Sequence, residues 1–114
     1  MSTPFEEMST LDRLLHEPAR LAIMTALSAC RSCDFVYLQS LTQLTKGNLS
    51  NHLHKLEQGG VIEIQKTFRG RVPHTVITLT SSGRNAIDDH WRRLEALRVE
   101  AVTFTQTQPQ AHED

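Results

Sequence analysis

At 114 residues the chain is long enough to bury one continuous core and too short for two, and its 39% apolar and 22% charged content excludes a disordered or fibrous class. No window approaches the roughly 18 uninterrupted apolar residues of a membrane span, Glu6 and Glu7 stand where a signal peptide needs cations, and two cysteines are too few for a secreted disulfide framework, so the expectation is a cytoplasmic protein with no membrane contact. The net charge of −1 hides a division: Gln43 to Thr75 holds five cations and two anions, against three and five in residues 1–42 and four and six in residues 76–114.

Leu11, Leu14 and Leu15 recur at helical spacing behind Ser9 and Thr10, which predicts a short capped first helix. Pro18 suits the first turn of a second helix running to about Ala29, with Leu21, Ile23, Met24 and Leu27 on its buried side. CRSCD reads as a break, after which Asp34 caps a third short helix carrying Phe35, Leu38 and Leu41. A tight turn, Thr42 to Leu44, leads to Thr45, a good acceptor for the free amides of a helix from Lys46 to about Gln58 that stops at Gly59-Gly60. In that helix Leu49, Leu53 and Leu56 form an inner stripe, while Lys46, Asn48, Ser50, Asn51, His54 and Lys55 form a polar outer face.

Beyond the glycines the period changes to two. Ile62 and Ile64, then Val76, Ile77 and Leu79, mark two strands of a small hairpin. Between them Phe68 to Pro73 reads as a protruding loop, its glycine making the turn and its proline ending regular pairing. Thr80 or Ser81 caps a long last helix from about Ser82 to Thr103, and the Gln-, Pro- and Thr-rich segment 105–114 reads as a disordered tail after a single domain, residues 1–104.

The fold class expected is therefore mainly α with a small β-hairpin: a helix-turn-helix followed by a wing and a long C-terminal helix. A helix fits the DNA major groove, and side chains near its N-terminus reach base edges and phosphates. Asn48 and Asn51 suit bidentate pairing with adenine, Lys46 suits guanine or phosphate, and Ser50 bonds to either. Arg69 and Arg71 flank the loop glycine, where guanidinium groups can enter a minor groove or hold its phosphates.

The run LTKGNLSNHLHKLEQGGVIEIQKTFRGRVPHTVITLTSSGR, Leu44 to Arg84, resembles winged-helix regulators related to the MarR and ArsR types, closest to their short single-domain members, which read much like TKGNLSxHLxxLExxGxIxxxKxFxGxxPxTxxxLTxxGR. LDRLLHEPARLAIMTAL, Leu11 to Leu27, is similar to the opening helices of that family. The resemblance implies a homodimer on a pseudo-palindromic operator in double-stranded DNA, with Thr45, Lys46, Asn48, Ser50, Asn51 and His54 on the recognition helix and Arg69 and Arg71 on the wing. CRSCD and the C-terminal tail depart from the pattern, and the resemblance implies no particular small-molecule effector.

Read in sevens, Ile87, Leu94 and Ala101 share one position of the last helix and His90, Leu97 and Phe104 its partner position, with Trp91 beside the seam. A helix of about 22 residues extends about 33 Å, more than one small core covers, so this stripe is expected to make the dimer interface, joined by Leu11 and Leu14.

Three other readings compete with a DNA-binding regulator, whose repression would follow from steric occlusion. Cys30-x-x-Cys33 has the spacing of a metal or redox pair, but structural zinc needs four ligands and no second such pair is near; two small buried residues are the plainer reading, with no metal or cofactor expected. A winged helix can also serve as a protein-interaction module, although such a surface should show aromatic or aliphatic anchors rather than a polar face. An enzyme is not expected: there is no glycine-rich phosphate loop, HExxH or GxSxG.

Overall fold

The computed structural model describes residues 2–107. Five helices and three strands follow in the order α1 (Pro4–Met8), α2 (Pro18–Cys30), β1 (Ser32–Asp34), α3 (Phe35–Thr42), α4 (Lys46–Gln58), β2 (Ile62–Arg69), β3 (Val72–Leu79) and α5 (Ser81–Thr107). The strands form one antiparallel sheet in the order β1-β3-β2. Leu49, Leu53 and Leu56 of α4 meet Ile23, Met24 and Leu27 of α2, Leu38 of α3, Ile62 and Ile77 of the sheet and Ile87 of α5 in one buried cluster. Each such side chain contributes about 1.5–3 kcal/mol by leaving water, which sets the face that α4 turns inward.

Four expectations need correction. The first helix begins earlier: Thr3 and Glu6 form a reciprocal capping box, with Pro4 in the first turn, and the helix ends at Met8. Leu11, Leu14 and Leu15 instead lie in a run of turns, where the Asp12 carboxylate accepts from the Leu14 amide at 2.8 Å and so offers the backbone an alternative to helix. CRSCD is not a plain break. After Arg31, which takes φ 66°, Ser32 to Asp34 pair with Val76 to Thr78 as a third strand. A three-residue strand is too short to display its own period.

The wing is tighter than expected. Arg69 pairs with Val72, so only Gly70 and Arg71 turn, and Gly70 at φ 62° occupies the first central position, as a type II′ hairpin requires. Pro73 lies inside β3 opposite Phe68. The pair next to a two-residue turn exchanges the hydrogen bonds, so Phe68–Pro73 falls on a pair that does not, and the missing proline N–H points to the side where β1, reaching only Val76, is absent. Finally α5 continues to Thr107, three residues into the segment expected as tail; residues 108–114 lie outside the described residues.

Candidate nucleic-acid interface

Two caps build the helix-turn-helix. The Asp34 carboxylate accepts from the Tyr37 amide at 2.8 Å to start α3, and the Thr45 hydroxyl accepts from the Asn48 amide at 3.1 Å to start α4. Between them Gln43 takes the left-handed conformation, φ 58°, and its amide donates to the Gln39 carbonyl at 2.8 Å, which turns the chain within three residues. Arg20 of α2 braces the back of α4: its guanidinium donates to the Leu14 carbonyl at 2.7 Å and reaches His52 Nδ1 at 3.1 Å, with the Glu17 carboxylate 3.9 Å from the same ring nitrogen. A guanidinium only donates, so Nδ1 of His52 accepts. His52 therefore belongs to the scaffold, on the side of α4 away from solvent.

The remaining polar side chains of α4 face out. Thr45, Lys46, Asn48, Ser50, Asn51, His54 and Lys55 are all exposed, as are Arg69 and Arg71 on the wing. Thr45 is occupied by its cap. Among the described residues, no hydrogen bond or ion pair engages the side chains of the other eight. Four cations and three neutral hydrogen-bonding groups stand unsatisfied by the protein on one side of it, together with His54, and the free amides of the α4 N-terminus add positive potential there. The fold brings together the polar helix face and the basic wing. Between them runs a cleft of about 910 Å³, lined by Lys46, Ser50 and His54 on one wall and by Lys66, Pro73 and Thr75 on the other. In the sequence Lys66 counts only as one of five central cations, and Pro73 and Thr75 only as loop and strand residues, because their meeting with α4 depends on how the hairpin folds back.

The long-helix stripe is placed differently from the expectation. Ile87 (0% exposed) belongs to the main core, and Leu11 (6%), His90 (5%) and Leu97 (2%) are also buried within a single chain. The cover is the N-terminal arm: Phe5 meets Phe104 edge to face at 5.9 Å, Glu7 lies 3.9 Å from Arg93, and His16 Nδ1 lies 3.2 Å from His90 Nε2. Leu14, Leu94, Ala101 and Phe104 are half-buried, and Trp91 stays exposed, its indole N–H donating to the Thr25 hydroxyl at 3.1 Å. Helix length alone does not reveal the arm, whose apolar residues are sparse.

Neither cysteine lines the cleft. Cys30 ends α2 and donates its thiol to the Ala26 carbonyl at 3.0 Å, while Cys33 is buried on β1. Burial, and then the neighbouring Cys30 and Asp34, push the Cys33 thiol up to about 12, so that the free thiol stays protonated at neutral pH. Among the described residues no group of three or more His, Cys, Asp or Glu is placed to hold a metal, and no helix is long and apolar enough to cross a membrane.

Comparison with known proteins agrees with this architecture. The family model described as winged helix DNA-binding domain matches residues 19–98. An uncharacterized protein of Methanocaldococcus jannaschii is 37% identical over 79 residues, 68% of this chain and 85% of its own length. The solved structure of a transcriptional regulator homologue from Pyrococcus horikoshii OT3 superimposes with a TM-score of 0.77 at 30% identity, covering 84% of this chain and 94% of that one. A MarR-family regulator from Silicibacter pomeroyi shares the fold at 22% identity, with a TM-score of 0.61 over 94% of this chain and 68% of its own. With a three-stranded sheet, a capped second helix in its helix-turn-helix and a family match spanning most of its length, the chain belongs to the winged helix DNA-binding domain family, and it shares its fold with MarR-family regulators.

Proposed function

We propose that the protein is a sequence-specific transcription regulator that binds a pseudo-palindromic operator as a homodimer and represses by occluding it. The observation that carries the reading is the set of unsatisfied polar side chains on α4, beside the wing arginines. Buried or internally paired, these groups would be scaffold; left free on a helix that fits a major groove, they suit base edges and phosphates. Asn48, Ser50 and Asn51 take the base-reading role, Lys46, Lys55 and His54 approach phosphate or base, and Arg69 and Arg71 enter or straddle the adjacent minor groove.

The homodimer reading rests on α5. Its 27 residues extend about 40 Å, and the arm covers only one side of it. Trp91, Leu94 and Val102, spaced along another side, keep an apolar face in solvent, with Trp91 at 46% and Val102 at 48% exposure. Pairing two such helices would bury that face and set two copies of α4 about one helical turn of DNA apart. Selection of bound sequences from random duplex DNA tests the reading. Enrichment of a two-fold-symmetric motif is expected, and failure to enrich any motif at low salt would instead favour a protein-interaction module.

A further inference from the structure

The cleft between α4 and the wing contains groups that the base-reading face does not use. β2 leaves the C-terminal end of α4 through the turn at Gly59 and Gly60 and runs back beside it, since Lys46 at the start of α4 and Pro73 near the wing tip line the same cleft. Thirteen helical residues rise about 20 Å and eight strand residues about 26 Å, so the wing extends past the first turn of α4. Strand alternation then settles which side chains face the helix. Ile62 is buried and Ile64 half-buried against α4, so Lys66 and Phe68 share their face, paired across the hairpin with Thr75 and Pro73.

From the core outward that face changes from aliphatic, to cationic, to apolar again at the tip. Phe68 is 68% exposed, although an isolated ring in water gains nothing for the fold. Lys66 has no carboxylate partner among the described residues. The two acidic groups lining the cleft stand away from the wing tip: Glu57 is at the C-terminal end of α4, eleven residues from Lys46, and Asp34, engaged with the Tyr37 amide, pairs with Val76. The mouth is therefore cationic on both walls and apolar at the rim. When α4 occupies a major groove and the wing reaches the next minor groove, the strand dividing those grooves has to pass this mouth. A sugar–phosphate strand alternates an anion with an apolar deoxyribose edge, which matches the alternation of Lys66 and Phe68.

We propose that the mouth of the cleft grips that one strand, with Lys66 and Lys46 on its phosphates and Phe68, backed by Pro73, against a deoxyribose. The proposal rests on the DNA-binding reading above and adds a backbone clamp that fixes how far α4 enters its groove. Both contacts are blind to base identity.

The test uses the full chain, the duplex enriched by selection, and the variants Lys66→Gln and Phe68→Ala, each checked for native thermal unfolding. Lys66→Gln should lower the log–log salt slope by about one charge per bound chain. Phe68→Ala should weaken binding about tenfold for each bound chain, corresponding to roughly 50 Å² of ring returned to water at about 25 cal/mol per Å², with the slope unchanged. Neither should alter the preferred sequence, and Phe68→Leu should recover part of the loss. Folded variants that match the wild type in affinity and slope would overturn the clamp while leaving the DNA-binding reading intact. A wild-type chain that enriches no duplex would overturn both.

Discussion

Asn48 and Asn51 are three residues apart on α4, so their side-chain amides share one exposed face, and among the described residues neither side chain is held by a hydrogen bond, only the Asn48 backbone N–H being taken by the Thr45 cap. Asn51→Ala should lose discrimination at particular base pairs by about 1–3 kcal/mol while sparing affinity for unrelated DNA; competition between the selected duplex and single-base variants measures this. Equal losses on every duplex would make Asn51 a phosphate contact. His90 makes a different prediction. Burial, followed by the nearby His16, holds its imidazole below the ordinary value of 6.5, with Asp12 opposing and Arg93 adding to the shift. The unfolded chain thus binds a proton more readily than the folded one, so this contribution to stability is present above pH 6.5 and is lost as pH falls below it. The melting temperature should drop between pH 7 and 5.5, and less so in His90→Gln, as followed by calorimetry. An equal drop in both would show that His90 is not responsible. Caps such as Asp34 and Thr45 could be read from residue type and position, whereas the roles of His90 and Lys66 depend on partners 74 and about 20 residues away in the chain.

Periodicity identifies α2, α3, α4 and the two wing strands because each buries one face against a common core. It fails where an element is too short to repeat, as in β1, and where local hydrogen bonds outweigh spacing, as in the turns around Asp12. The start of α5 shows another limit. Thr80 caps the helix, accepting from the Gly83 amide at 2.9 Å, and its own hydroxyl donates to the Gly60 carbonyl at 2.8 Å. Gly83 is buried against the backbone of Val61, so that a Cβ there would collide with the Val61 carbonyl group, which no rotamer change can move. Gly83→Ala should therefore cost about 1–3 kcal/mol despite the better helix propensity of alanine, because α5 must shift off the sheet. Unfolding in urea would measure it. A neutral or stabilising result would mean that this junction is looser than described.

The described residues span 67 × 29 × 21 Å, with a radius of gyration of 18.2 Å, where a compact chain of about 100 residues has about 13 Å. The excess comes from α5, which projects beyond the winged-helix core with only the short arm along it. An exposed apolar face on a projecting helix suits a second copy. Changing Trp91 and Val102 together to glutamate should give a folded monomer by light scattering, and a dimer that persisted would move the interface elsewhere. Every predicted contact with DNA requires the duplex to lie across α4 and the wing. Affinity for the selected duplex, measured over a range of salt for the wild type and for Arg69→Ala with Arg71→Ala, tests that placement most directly. The double variant should bind every duplex more weakly, with a salt slope lower by about two charges per chain; a slope equal to that of the wild type would take the wing out of the interface and contradict the account.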